Sequence, residues 1–161
     1  MQESLLSPQK FEEELLPLAV AWAEEQERRI LTKGYHLTSA QRSDARMLGV
    51  AHPERVRLLP VVAIERPEDP VLRAAAESVQ IINPFTRGLT LRYGIYLRAD
   101  EASDRALIAH ELVHVGQYER MGGILPFLRQ YIYECMTVGY SASQIEREAI
   151  QRSAMLLSSG K

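Results

Sequence analysis

The sequence predicts an α+β fold dominated by helix, with a small sheet or strand pair packed beside one nearly apolar central helix. Three observations carry this reading. Helical periodicity fills both ends of the chain, and GLTLRYGIYLR (88–98) alternates as a strand does. The segment LIAHELVHVGQY (107–118) is apolar almost all round, which marks a helix buried on most sides.

Taken in order, Gln9 to Lys33 reads as an amphipathic helix, acidic at its start (Glu12, Glu13, Glu14), basic near its end (Arg28, Arg29, Lys33) and closed by Gly34. Pro17 lies inside this run and predicts a kink or two separate helices. A T-x-x-Q capping box at Thr38 and Gln41 opens a shorter helix. Arg55 to Ile64 reads as a strand, with Pro60 placing it at an edge or a bulge. Asp69 as N-cap and Pro70 at the first position start another short helix.

The alternating stretch reads as one half-buried strand, with Leu89, Leu91, Tyr93, Ile95 and Leu97 on one side and Thr90, Arg92, Gly94, Tyr96 and Arg98 on the other. Asp100 is the expected N-cap of the histidine helix, which MGG ends. ILPFLRQYIYECMTV forms a further helix; GYSAS breaks the chain before a last one, from about Gln144 to Leu157.

The 161 residues suit a single domain, able to bury roughly two thirds of its unfolded surface. Its expected parts are 1–83, helices and a strand of unknown role, and 84–161, the half that carries the chemistry. A net charge of −2 without a basic cluster argues against nucleic-acid binding. Cys135 has no partner for an internal disulfide and reads as a core thiol in a reducing compartment. The first residues show no leader pattern, and no run of about 18 apolar residues occurs. The expectation is a cytoplasmic protein with no membrane partner.

HELVH (110–114) carries the chemistry. His110 and His114 project from one helix face a turn apart, close enough to share one ion, and Glu111 lies beside that face. Such a spacing supplies two nitrogen ligands and leaves a carboxylate next to a metal-bound water as general base. A buried imidazole pair beside a buried carboxylate is otherwise costly. A catalytic zinc needs a third protein ligand.

Glu146 is the preferred candidate, because it sits in the apolar arc of Ala149, Ile150, Ser153, Leu156 and Leu157. It competes with a capping role from Ser143, although a box from Ser141 and Gln144 would release it. Glu134 is the runner-up, between the polar and apolar arcs of its helix. Glu148 falls on a polar arc, where it would pair with Arg152.

HELVH with an inward glutamate on a later helix resembles the gluzincin group of zinc metallopeptidases. AHELVHVGQYERMGG and GYSASQIEREA are similar to the small bacterial members sometimes called minigluzincins, over about Gly88 to Leu157. The resemblance implies a zincin-like fold, His110, His114 and Glu146 as ligands of Zn2+, Glu111 as catalytic base and Ala149 as the small residue of E-x-x-A. It departs at Ile150, where many gluzincins carry an acid, so the usual support for a histidine is missing or comes from elsewhere.

The expected reaction is hydrolysis of a peptide bond in a peptide or protein substrate, oriented along the strand at Leu89 to Leu97. Among Tyr93, Tyr118, Tyr133 and Tyr140, Tyr140 is the candidate donor to the developing oxyanion. Two rivals stand beside this: a zinc-stabilised binding module without turnover, and a metal-free helical interaction protein.

Overall fold

Pro17 neither breaks nor separates the first helical segment. The computed structural model describes residues 7–159, so the expectation about the first six residues lies outside the described residues. Helix α1 (Pro8–Lys10), capped by Ser7, runs through a π-helical turn (Phe11–Leu15) into α2 (Leu16–Lys33). In that turn the Leu16 amide donates to the Phe11 carbonyl five residues back. The register slips one residue just before Pro17, which has no amide to contribute.

β1 (Tyr35–His36) follows, then α3 (Ser39–Met47) with the expected Thr38–Gln41 capping box. β2 (Arg57–Val61) leads to α4 (Pro70–Ser78), which Asp69 caps as expected. The alternating stretch is not one strand. It folds into a hairpin of β3 (Gly88–Leu91) and β4 (Gly94–Arg98), with Leu91 opposite Gly94 across a loop of Arg92 and Tyr93.

Because the register pairs Thr90 with Ile95 and Leu89 with Tyr96, Leu89 and Leu91 face away from Ile95 and Leu97. The expected single-sided alternation is therefore overturned: the turn exchanges the faces. Nothing in Arg92–Tyr93 resembles the glycine-rich sequence of a tight hairpin loop, and Arg92 reaches the left-handed region (φ 61°) without being glycine.

The sheet order is β1-β2-β4-β3, antiparallel except for the parallel β2–β4 pair. Pro60 lies beyond the part of β2 that β1 pairs, opposite Leu97 of β4 alone. The strand is thus internal at its start and an edge where proline sits. Helices cover both faces of this small, mainly antiparallel sheet, and the fold is α+β and mostly helical. Ile95 and Leu97 pack with α3, α5 (Arg105–Met121) and α7 (Gln144–Ser159), whereas Leu91 and Tyr96 pack with α2, α4 and α6 (Ile124–Thr137).

The cap of α5 is Asp104, whose side chain accepts from the Leu107 amide; Asp100 instead pairs with Arg98. A short 3-10 turn (Ala99–Glu101) intervenes and moves the helix start four residues on. Gly122 ends α5 in the left-handed conformation (φ 101°), a position that favours glycine. No helix among the described residues is long and apolar enough to cross a membrane.

Candidate metal centre

α5 is buried along most of its length, so its polar groups must be satisfied by neighbouring elements. α7 crosses it and delivers Glu146, 2% exposed, to the two histidines. His114 Nε2 lies 2.8 Å from Glu146 Oε1 and His110 Nε2 lies 3.3 Å from Oε2. The imidazole centroids are 5.0 Å apart, nearly perpendicular. One donor atom from each of His110, His114 and Glu146 falls within 4.8 Å of the others, so the three could hold a metal ion.

The Glu146 carboxylate is asymmetric. Oε1 accepts from the Tyr131 hydroxyl at 3.2 Å as well as facing His114, whereas Oε2 is buried with no hydrogen-bond partner. The approach of His110 to Oε2 lacks hydrogen-bonding geometry. A buried carboxylate oxygen left without a partner costs about 1–3 kcal/mol or more, and a cation among the three side chains would remove that cost. Two imidazoles and one carboxylate also form the donor set of an open catalytic zinc site.

Burial tends to raise the Glu146 pKa, but the neighbouring imidazoles of His110 and His114 outweigh it and hold the carboxyl well below its usual range. Burial opposes the charge on His114 as well, yet Glu146 and, further off, Glu111 push its pKa up to about 9.

Glu111 points at β3. The Thr90 hydroxyl donates to its Oε2 at 2.6 Å, and a Cβ at Gly88 would stand 2.7 Å from its Oε1. Position 88 therefore has to be glycine for this carboxylate to lie across the strand. Glu111, His110, His114, Glu146 and Tyr140 all line one cavity of about 490 Å³. Its far walls are apolar and come from α2 (Ala19, Ala23), α4 (Leu72, Ala75) and α6 (Phe127, Leu128). The first part of the chain thus builds one side of the cavity.

The other candidates have different work. Glu134 Oε1 accepts from the Ser143 hydroxyl at 2.7 Å and the Ile145 amide at 3.1 Å, so it caps α7 and is not in the cluster. Ser143 itself caps Glu146 N at 3.3 Å, in place of the expected Ser141 and Gln144 box. With Glu134 serving the helix end, the Glu146 side chain is free to turn inward.

Glu148 does not pair with Arg152. Its Oε1 accepts from Arg120 at 2.7 Å and from Gln117 Nε2 at 2.9 Å. Gln117 also meets His114 Nδ1 at 2.7 Å.

Among the tyrosines, Tyr93 donates to Glu119, Tyr118 donates to the Thr90 carbonyl and Tyr133 is exposed. Burial, then the charges of Glu146 and Glu111, raise the Tyr140 pKa and keep its hydroxyl protonated. Sequence reasoning passed over Tyr131 and Thr90. Tyr131 had a signal, three turns of α6 that place it beside Phe127 and Leu128 on the buried arc. Thr90 had none, because only the hairpin register turns it toward α5.

Residues 68–122 match a family model described as the eCIS core domain. The match runs from the approach to α4 through α5, so it includes His110, Glu111, His114, Gln117, Gly88 and Thr90 but not Glu146. No curated protein and no solved structure matches the chain.

Proposed function

We propose that this chain is a zinc metallopeptidase of gluzincin-like type, hydrolysing peptide bonds in a peptide or protein substrate. The observation that carries the reading is the Glu146 carboxylate, set against two imidazoles with its Oε2 buried and unpartnered, in a cavity that also admits Glu111. A structural site has no use for a carboxylate beside an open coordination position.

His110, His114 and Glu146 would hold the ion, which when bound supplies Lewis-acid polarisation of a carbonyl and acidification of water. Glu111 takes the proton of the attacking water and returns it to the leaving amine. The Thr90 hydroxyl fixes Oε2, leaving Oε1 for that transfer. Tyr140, protonated and lining the same cavity, donates to the developing oxyanion.

β3 is the edge of the sheet. The Arg98 amide donates to the Arg87 carbonyl, so by the alternation of an antiparallel ladder the backbone groups of Gly88 and Thr90 point outward. Tyr118 occupies the Thr90 carbonyl, and Gly88 is left to pair with an extended substrate. The apolar walls suit an aliphatic or aromatic side chain.

Glu111→Gln should retain metal, by elemental analysis, and lose about 100- to 10,000-fold of the hydrolysis of an unstructured protein. Undiminished cleavage would remove Glu111 as base. A second reading, a zinc-stabilised binding module, draws on the way the three ligands tie α5 to α7. Stoichiometric metal without any cleavage by the parent chain would select it.

A further inference from the structure

The resemblance to gluzincins leaves a histidine without the acid expected at position 150, and Ile150 is in fact 55% exposed. We propose that Gln117 takes over this duty as a positioning residue, fixing His114 with its Nε2 lone pair toward the metal position, and that Glu148 and Arg120 fix Gln117 in turn. The inference rests on the metal reading of the His110, His114 and Glu146 cluster.

The hydrogen-bond directions follow from what surrounds the Gln117 amide. One of its ends faces the Ile145 carbonyl at 3.0 Å and Glu148 Oε1 at 2.9 Å. Both of those groups only accept, so that end is the NH2. The other end is therefore the carbonyl oxygen, and it faces His114 Nδ1 at 2.7 Å. Nδ1 must then carry a proton and donate, so Nε2, which faces Glu146, is the nitrogen that offers its lone pair once a cation displaces the proton shared with that carboxylate.

Gln117 is 3% exposed, so water has no easy access to replace it. Arg120 donates to the same Glu148 oxygen at 2.7 Å and balances the charge that the relay brings against the helix. The spacing is equally specific. Gln117 stands three residues after His114 on the same helix face, and α7 supplies both Ile145 and Glu148 on either side of the ligand Glu146. One crossing of two helices thus provides the third ligand and the support for the second.

The test measures metal affinity by competition with a chelator, using Zn2+, and the absorption spectrum of the Co2+-loaded chain. Gln117→Leu, which cannot accept a proton from Nδ1, should weaken Zn2+ binding about 10- to 100-fold and alter the Co2+ spectrum. Gln117→Glu combined with Glu148→Gln keeps an acceptor for Nδ1 without setting two carboxylates together, and it should recover affinity and spectrum. A role confined to helix packing would lower the melting temperature of the metal-free protein while leaving the Co2+ spectrum unchanged.

Wild-type affinity and spectrum in Gln117→Leu would overturn the inference. Should Gln117→Leu fail to fold, NMR of the parent chain decides: a His114 Nδ1 proton protected from exchange is expected, and its absence would count against the bond. A parent chain that takes up no Zn2+ would instead overturn the metal reading on which the inference stands.

Discussion

Glu27 places a carboxylate at a core position of α2, in the arc of Leu16, Ala19, Ala23 and Ile30, and is 3% exposed. It holds the hairpin loop. Arg92 donates to both of its oxygens, at 2.9 and 2.7 Å, and the Tyr93 amide donates to Oε2 at 3.0 Å. The clasp offsets the cost of the left-handed Arg92, about 1–3 kcal/mol for a residue that is not glycine. Replacing Glu27 by alanine leaves a loop amide unsatisfied and frees Arg92, which is partly solvated and so loses less than a fully buried partner would. A destabilisation of about 2–3 kcal/mol is expected, read as a lower denaturant midpoint, with Glu27→Gln losing less. A charged residue in the middle of an apolar helical arc was a visible signal of such a partner; which residue it would meet was not visible.

At the scale of elements, the start of α7 decides where Glu146 goes. Glu134, on α6, accepts the Ser143 hydroxyl and the Ile145 amide that an α7 residue would otherwise have to satisfy. Burial works to raise its pKa, but hydrogen bonds from Gln130, Ser143 and the α7 backbone prevail and lower it below the ordinary 4.5. A carboxyl whose pKa is depressed by folding adds stability that is complete above its unfolded pKa and disappears as pH falls through the folded one. Glu134→Gln keeps an acceptor but cannot titrate. Its stability should therefore fall less steeply than that of the parent as pH drops below about 4.5, measured by urea unfolding at a series of pH values. Identical acid limbs in the two proteins would show that Glu134 contributes no such linkage.

The whole molecule is tied together by residues far apart in the chain. His110 and His114 on α5 meet Glu146 on α7, while the β3–β4 hairpin lies under Glu111 and α2, α4 and α6 complete the cavity. An ion bound by the folded arrangement and not by the unfolded chain stabilises it by about 2.7 kcal/mol at a free concentration 100 times Kd. Zn2+ should therefore raise the melting temperature and a chelator should reverse the rise. Glu146→Ala, missing the carboxylate that bridges the helices, should show neither effect; an equal shift in that variant would place the ion elsewhere.

His110, Glu111 and His114 were legible because their spacing within one helix is local: 3.6 residues per turn puts them on adjoining faces whatever the rest of the chain does. The Thr38 and Asp69 caps and the glycine end of α5 were legible for the same reason, since each is closed by hydrogen bonds among near neighbours. The choice among Glu134, Glu146 and Glu148 was legible only in part: the apolar arc of its helix favoured Glu146, but a capping role competed with it. The outcome depended on how α6 and α7 cross α5, which assigned one carboxylate to the helix cap, one to the histidines and one to Gln117 and Arg120. The hairpin was hidden in the same way, because its loop is stabilised by Glu27 more than sixty residues away and not by its own sequence. Sequence by itself thus determined the histidine pair, the helix-rich α+β class and most helix ends; only packing between distant segments decided the third member of the cluster, the support behind His114 and the side of the sheet each strand residue faces.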